Sequence, residues 1–148
     1  RVLGRFEEIG AALDAVGGTI LLEALTDDRR GYPLLTLDDC AELAAALADR
    51  GVPNVALLAD TFHLTNNGLD VRDQIFRHRS RIAHVQVADC PGRGVPGTGG
   101  LPFADIFRAL DEIGYAGLVS LETNCVSAAG ELLDWRAEFG EFDFEPFA

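Results

Sequence analysis

The 148-residue sequence contains no lysine and no methionine, and all 12 of its basic residues are arginine. A missing side-chain amine excludes Schiff-base chemistry, a P-loop lysine and a kinase-type lysine. Serine is scarce: Ser80, Ser120 and Ser127 are the only ones, and none sits in a G-x-S-x-G elbow. Three cysteines, Cys40, Cys90 and Cys125, form no C-x-x-C pair. Their odd number and wide spacing speak against a disulfide framework and against a zinc ribbon. They read as isolated reduced thiols, which suits a cytoplasmic protein. No apolar run approaches the ~18 residues of a membrane span, and no signal-peptide pattern opens the sequence, so no membrane partner is expected. Basic charge is outnumbered: 24 Asp and Glu leave a formal net charge of −12. Without a basic stripe the chain is a poor fit to nucleic acid, where phosphate neutralisation dominates affinity. No G-x-G-x-x-G follows the first apolar run, so no dinucleotide cofactor is expected.

What remains is ample for a core. The sequence is 48% hydrophobic and 24% charged, which fits one globular domain spanning residues 1–148. Beginning at Arg1 without a methionine, it reads as part of a longer product.

Hydrophobic spacing organises the chain. Val2, Leu3, Phe6, Ile9 and Leu13 recur at helical intervals, and Gly17-Gly18 ends that helix. Thr19–Leu25 is a short apolar run. Thr36 and Asp39 form a capping-box pattern that opens a helix ending near Gly51. Asn54–Asp60 is the second apolar run, followed by a helix over Asp70–Arg79. Ile82–Ala88 is the third run. A glycine- and proline-rich loop, Pro91–Pro102, leads to a strongly periodic helix from Phe103 that stops at Gly114. Leu118–Thr123 is the fourth run, and a last helix is predicted over Ala128–Phe139. Strands alternating with helices point to a parallel α/β sheet. Periodicity is the same for a small doubly wound sheet and for half of a (β/α)8 barrel, and does not choose between them.

Each predicted strand carries a polar residue at or near its C-terminal end: Glu23, Asp60, Gln86 and Glu122, at separations of 37, 26 and 36 residues. Parallel α/β folds place their sites at that edge. Any one strand-end acid could merely cap a helix or pair with arginine, but four at successive strand ends point to convergence. Side-chain alternation would set Leu21, Leu58, His84 and Ser120 one layer below them on the same face. Three carboxylates crowded together repel and retain protons unless a cation compensates. An all-oxygen donor set suits Mg²⁺ or Mn²⁺ better than zinc. His63 would lie on the loop above this cluster. His84 reads as a satisfied core histidine, and His78, in the basic run RHRSR, as a solvated surface residue. The loop PGRGVPGTGG has five glycines but no phosphate-loop spacing; its glycines would permit tight turns close to a ligand. Its one charge, Arg93, could clamp a substrate carboxylate.

The segments LLEAL with Gly31-Tyr32, LADTFHLTNNGLDV, and above all IAHVQVADCPGRGVPGTGGLPFADIFRALDEIGYAGLVSLE resemble the hydroxypyruvate isomerases of the xylose-isomerase-like barrel superfamily. The likeness runs from about residue 17 to 135. It implies a (β/α)8 TIM barrel of which this chain supplies strands 5–8. It implies Glu23, Asp60, Gln86 and Glu122 as ligands of a divalent metal, Glu23 and Glu122 as the catalytic acid and base, and His63 and Arg93 as substrate contacts. The implied reaction is isomerisation of hydroxypyruvate to tartronate semialdehyde through an enediol. Two departures stand out. Gly100 occupies the place where the family pattern P-G-T-G-E has glutamate, and Thr26 stands where asparagine is commonest. They leave a 2-oxo-tetronate isomerase or a ketose 3-epimerase open. An endonuclease for damaged DNA shares the superfamily barrel, but it would want more histidine ligands and a basic groove. A non-enzymatic α/β partner-binding domain is the reading from a different class. A homo-oligomer would cover the two open edges of a four-stranded sheet.

Overall fold

In the computed structural model the described residues are 2–26, 31–124, 135 and 139. They form α1 (Val2–Asp14), β1 (Ile20–Glu23), α2 (Leu37–Ala48), β2 (Val55–Asp60), α3 (Thr61–Asn66), α4 (Val71–His78), β3 (Ile82–Val87), α5 (Phe103–Glu112) and β4 (Leu118–Leu121). The helix expected over Ala128–Phe139 falls largely outside the described residues.

All four strands are parallel, in the order β1-β2-β3-β4. A doubly wound sheet reverses its strand order at a switch point. This order never reverses, so right-handed crossovers keep the helices on one face, as in a barrel wall. The core lies on that face. Ile20, Leu22, Leu57, Ala59, Val85 and Val87 are buried with Leu37, Cys40 and Leu47 of α2 and with Phe103, Ile106 and Phe107 of α5. Phe107 stacks on Trp135 at 6.1 Å and meets Phe139 edge-on at 5.3 Å.

Local signals account for most boundaries. The Thr36–Asp39 capping box is present in full: Thr36 Oγ1 accepts from the Asp39 backbone N–H at 3.0 Å, and Asp39 Oδ2 accepts from the Thr36 N–H at 2.8 Å. A strand-end acid makes a further cap. Asp60, the last residue of β2, N-caps α3 and accepts from the N–H groups of Phe62 at 2.7 Å and His63 at 3.1 Å. His63 therefore rides on a short helix, not on a loop. His78 also departs from its sequence reading. It is buried, with Nε2 3.1 Å from Asp38 Oδ1, because α4 turns it toward the α2 side of the molecule.

Candidate functional site

Register carries the strand-end residues to one face. In a parallel pair, partnered residues point the same way. Leu58 partners Glu23, Asp60 partners Gln86, and Gln86 partners Ser120. Alternation along β2 puts Leu58 and Asp60 on one face, and alternation beyond β4 puts Ser120 and Glu122 there too. Glu23 sits one side-chain step below Asp60 and Gln86, and Glu122 one step above. The four form a slanted row across the sheet's C-terminal edge, on the face opposite the helices. β4 ends at Leu121, so Glu122 lies just past its strand, held by its N–H to the Val87 carbonyl at 3.1 Å.

Ligand atoms of Glu23, Asp60 and His63 all lie within 4.8 Å of one another. Glu23 Oε1 is 3.9 Å from His63 Nε2. Burial pushes the Glu23 carboxyl up to about 7, and the charges of Asp60 and Glu122 push the same way against the lowering by Arg93. Burial also raises the Asp60 carboxyl above its usual range, despite two backbone donors and Arg93 beside it. Gln86 extends from β3 alongside Asp60, and its Oε1 is buried without a hydrogen-bond partner. A buried amide oxygen without a protein partner is open to a water or an ion. Mutually repelling carboxylates plus this orphaned oxygen fit a hard divalent cation.

His63 is set by Thr26, in the segment after β1. The Thr26 backbone N–H donates to Nδ1 at 3.1 Å and its hydroxyl lies 2.6 Å from the same nitrogen. That segment is itself tied down: Asn67 Nδ2 donates to the carbonyls of Leu25 and Leu35, both at 2.8 Å, and Tyr32 Oη donates to the Glu23 carbonyl at 2.9 Å.

Arg93 lies against the acids with its side chain only 15% exposed. One Nη2 atom sits 2.6 Å from Glu122 Oε1 and 3.3 Å from Asp60 Oδ2, Nε donates to the Glu122 carbonyl at 3.2 Å, and the guanidinium stands 5.3 Å over the Phe62 ring. Its backbone is left-handed at φ 56°. What puts it there is Asp89, a residue the sequence reading passed over. The Asp89 carboxylate is fully buried and accepts four backbone N–H groups: Cys90 at 2.8 Å, Gly97 at 2.9 Å, Gly99 at 2.8 Å and Leu101 at 3.0 Å. A Cβ on Gly99 would fall 2.5 Å from Asp89 Oδ1, so glycine is required there. The glycines were expected to permit tight turns close to a ligand; Gly92 and Gly97 take positive φ, and Gly99 leaves space for the chain's own carboxylate. The signal that could have revealed Asp89 was its position, an acid at a strand end immediately before a glycine-rich loop.

His84 occupies the layer beneath, with Nε2 2.8 Å from Ser120 Oγ. Cys40 and Cys90 are free thiols, and Cys125 lies outside the described residues. Among the described residues no helix is long and apolar enough to cross a membrane.

Known proteins give this arrangement a context. A sequence profile for the xylose isomerase-like TIM barrel matches residues 1–140. A Streptomyces coelicolor protein provisionally named hydroxypyruvate isomerase is 41% identical over 117 residues, covering 75% of this chain and 40% of that protein. The 2-oxo-tetronate isomerase of Haemophilus influenzae is 35% identical over 124 residues, covering 83% of this chain and 47% of that protein. The chain thus spans under half the length of these curated relatives. In fold it follows the crystal structure of the Escherichia coli 3-keto-D-glucoside 4-epimerase, with a TM-score of 0.83 at 22% identity, covering 95% of this chain and 52% of that one.

Proposed function

Since the chain belongs to the xylose isomerase-like TIM barrel family, we propose that it forms the metal- and substrate-binding part of an isomerase for short hydroxy-oxo-acids, with hydroxypyruvate the preferred substrate. The observation that carries this is the slanted row Glu23, Asp60, Gln86 and Glu122 on one face, with the Gln86 amide oxygen buried and unsatisfied. Relatives named as hydroxypyruvate and 2-oxo-tetronate isomerases support the same substrate class.

Glu23, Asp60, Gln86 and Glu122 would hold Mg²⁺ or Mn²⁺. Such an ion polarises carbonyl and hydroxyl oxygens and acidifies the carbon-bound proton beside them. One of Glu23 and Glu122 takes that proton from the hydroxyl-bearing carbon, leaving an enediol. The other, or the same residue, returns a proton to the former carbonyl carbon. Without an ion, burial holds the Glu23 carboxyl up at about 7, and a cation beside it would favour the ionised form that a base requires. His63 offers Nε2–H to a substrate oxygen, since Nδ1 is occupied by Thr26. Arg93 supplies the fork for the substrate carboxylate. In this reading the chain corresponds to strands 5–8 of the barrel.

The test is deuterium uptake. Hydroxypyruvate would be incubated with the chain and Mn²⁺ in D₂O, and carbon-bound protons followed by mass spectrometry. Exchange with appearance of tartronate semialdehyde, lost in Glu122→Gln, is the expected result. A folded chain that binds Mn²⁺ yet exchanges no proton of hydroxypyruvate, a 2-oxo-tetronate or a ketose would sink the reading.

A further inference from the structure

The guanidinium of Arg93 lies against two of the four oxygen-donor residues at once, Glu122 Oε1 at 2.6 Å and Asp60 Oδ2 at 3.3 Å. It is no passing surface contact. Nε is satisfied by the Glu122 carbonyl at 3.2 Å, the Arg93 carbonyl accepts from the Asn124 N–H at 2.8 Å, and the loop behind it is wrapped around the buried Asp89 carboxylate. A delocalised cation fixed in this way offsets the negative charge that Asp60 and Glu122 bring together. A divalent ion would draw on the same Asp60 and Glu122 oxygens. Two cations cannot both be the near neighbour of one pair of carboxylates without repelling each other.

We propose that Arg93 is a built-in counter-cation for Asp60 and Glu122, competing with a divalent metal ion for their oxygens, so that metal loading displaces the guanidinium from the pair. This rests on the metal reading above and gives that site its regulation. The arginine offsets part of the acid cluster's charge before the ion arrives, then becomes available to an acidic ligand once the ion has taken its place. Metal affinity is thereby held below what the four donors alone would give.

The experiment is calorimetric titration with Mn²⁺ at pH 8, where Glu23 is ionised, on the chain, on Arg93→Gln and on Arg108→Gln. Arg108 pairs with Asp105 on an exposed face of α5, so its substitution removes the same charge far from the acids. The expected result is Mn²⁺ binding about tenfold tighter in Arg93→Gln, the equivalent of one displaced charged hydrogen bond, and unchanged in Arg108→Gln. Binding confined to Arg93→Gln would also support the proposal. Equal or weaker binding in Arg93→Gln, with wild type binding normally, would overturn it and leave the metal reading intact. No binding by any of the folded chains would remove both. A second measurement needs no variant. The Arg93 Nη2 protons of the wild-type chain, which face the two carboxylates, should be protected from exchange without metal and lose protection as Mg²⁺ is added. Protection that survives saturating Mg²⁺ would overturn the proposal.

Discussion

His63 Nδ1 faces two potential donors from a single residue, the Thr26 backbone N–H at 3.1 Å and the Thr26 hydroxyl at 2.6 Å. An amide N–H cannot accept, so Nδ1 is the bare nitrogen and the neutral ring carries its proton on Nε2. His63 is therefore a hydrogen-bond donor toward Glu23, 3.9 Å away, more readily than a metal ligand. Long-range ¹⁵N–¹H spectra should show an unprotonated Nδ1 and a protonated Nε2, unchanged by Mg²⁺. His63→Gln should keep Mn²⁺ affinity within about threefold while slowing turnover on the order of a hundredfold. Loss of the Nε2 proton on metal addition would move His63 into the ligand set.

The loop that carries Arg93 should fail at Asp89 and at Gly99 alike. Asp89→Asn puts an amide NH₂ against backbone donors and should cost about 3 kcal/mol in urea unfolding. Gly99→Ala forces a Cβ to 2.5 Å from Asp89 Oδ1 and should also destabilise. Gly100→Ala is the control, since its Cβ would meet only the Cys90 carbonyl at 3.6 Å, and it should lie within about 0.5 kcal/mol of wild type. Similar stabilities for all three would contradict the cradle.

Stability should depend on pH through His78. Burial lowers its pKa below the ordinary 6.5, outweighing the attraction of Asp38. A base depressed in the folded state binds protons preferentially when unfolded. Its contribution is complete above the unfolded value near 6.5 and drains away as pH falls through the folded value. His78→Gln should flatten that part of the curve in denaturant melts at pH 7.5 and below. Parallel curves for the two proteins would show that His78 is not the cause.

Glu23 has the opposite sign. Its folded carboxyl titrates at about 7 against 4.5 for the ordinary value, so the folded state holds the extra proton between those limits. Stability referred to Glu23→Gln should fall as pH rises from 4.5 to 7, by up to about 3 kcal/mol. Saturating Mn²⁺ should erase the difference if the ion compensates the charge. A wild-type chain that tracks Glu23→Gln across this range would refute the buried-acid account.

The strands and most helices were legible because period and capping are local. Thr36 and Asp39 announce α2 in the sequence alone, and the row Glu23, Asp60, Gln86 and Glu122 follows from each lying at the end of its own apolar run. Strand order was not legible, since βα spacing is the same in a barrel wall and a doubly wound sheet. Short α3 was hidden because six residues are too few to show a helical period. His78 was misread because its neighbours Arg77 and Arg79 are charged, while its own burial depends on where α2 lies. Asp89 was missed because its partners are backbone amides spread over a dozen residues, and amides leave no trace in a sequence.

Arg93 also raises a question of what the chain can evolve into. Its left-handed backbone costs an L-residue with a bulky side chain roughly 1–2 kcal/mol, and glycine or asparagine would sit there more comfortably. A change to a small residue would relieve that backbone cost while giving up the ion pairs to Asp60 and Glu122. A descendant sequence with glycine at position 93 would keep the loop and the Asp89 cradle, yet leave Asp60 and Glu122 without their resident cation. Melting temperature would report the relieved backbone and the lost ion pairs together, so screens of such lineages should read charge at the site as well.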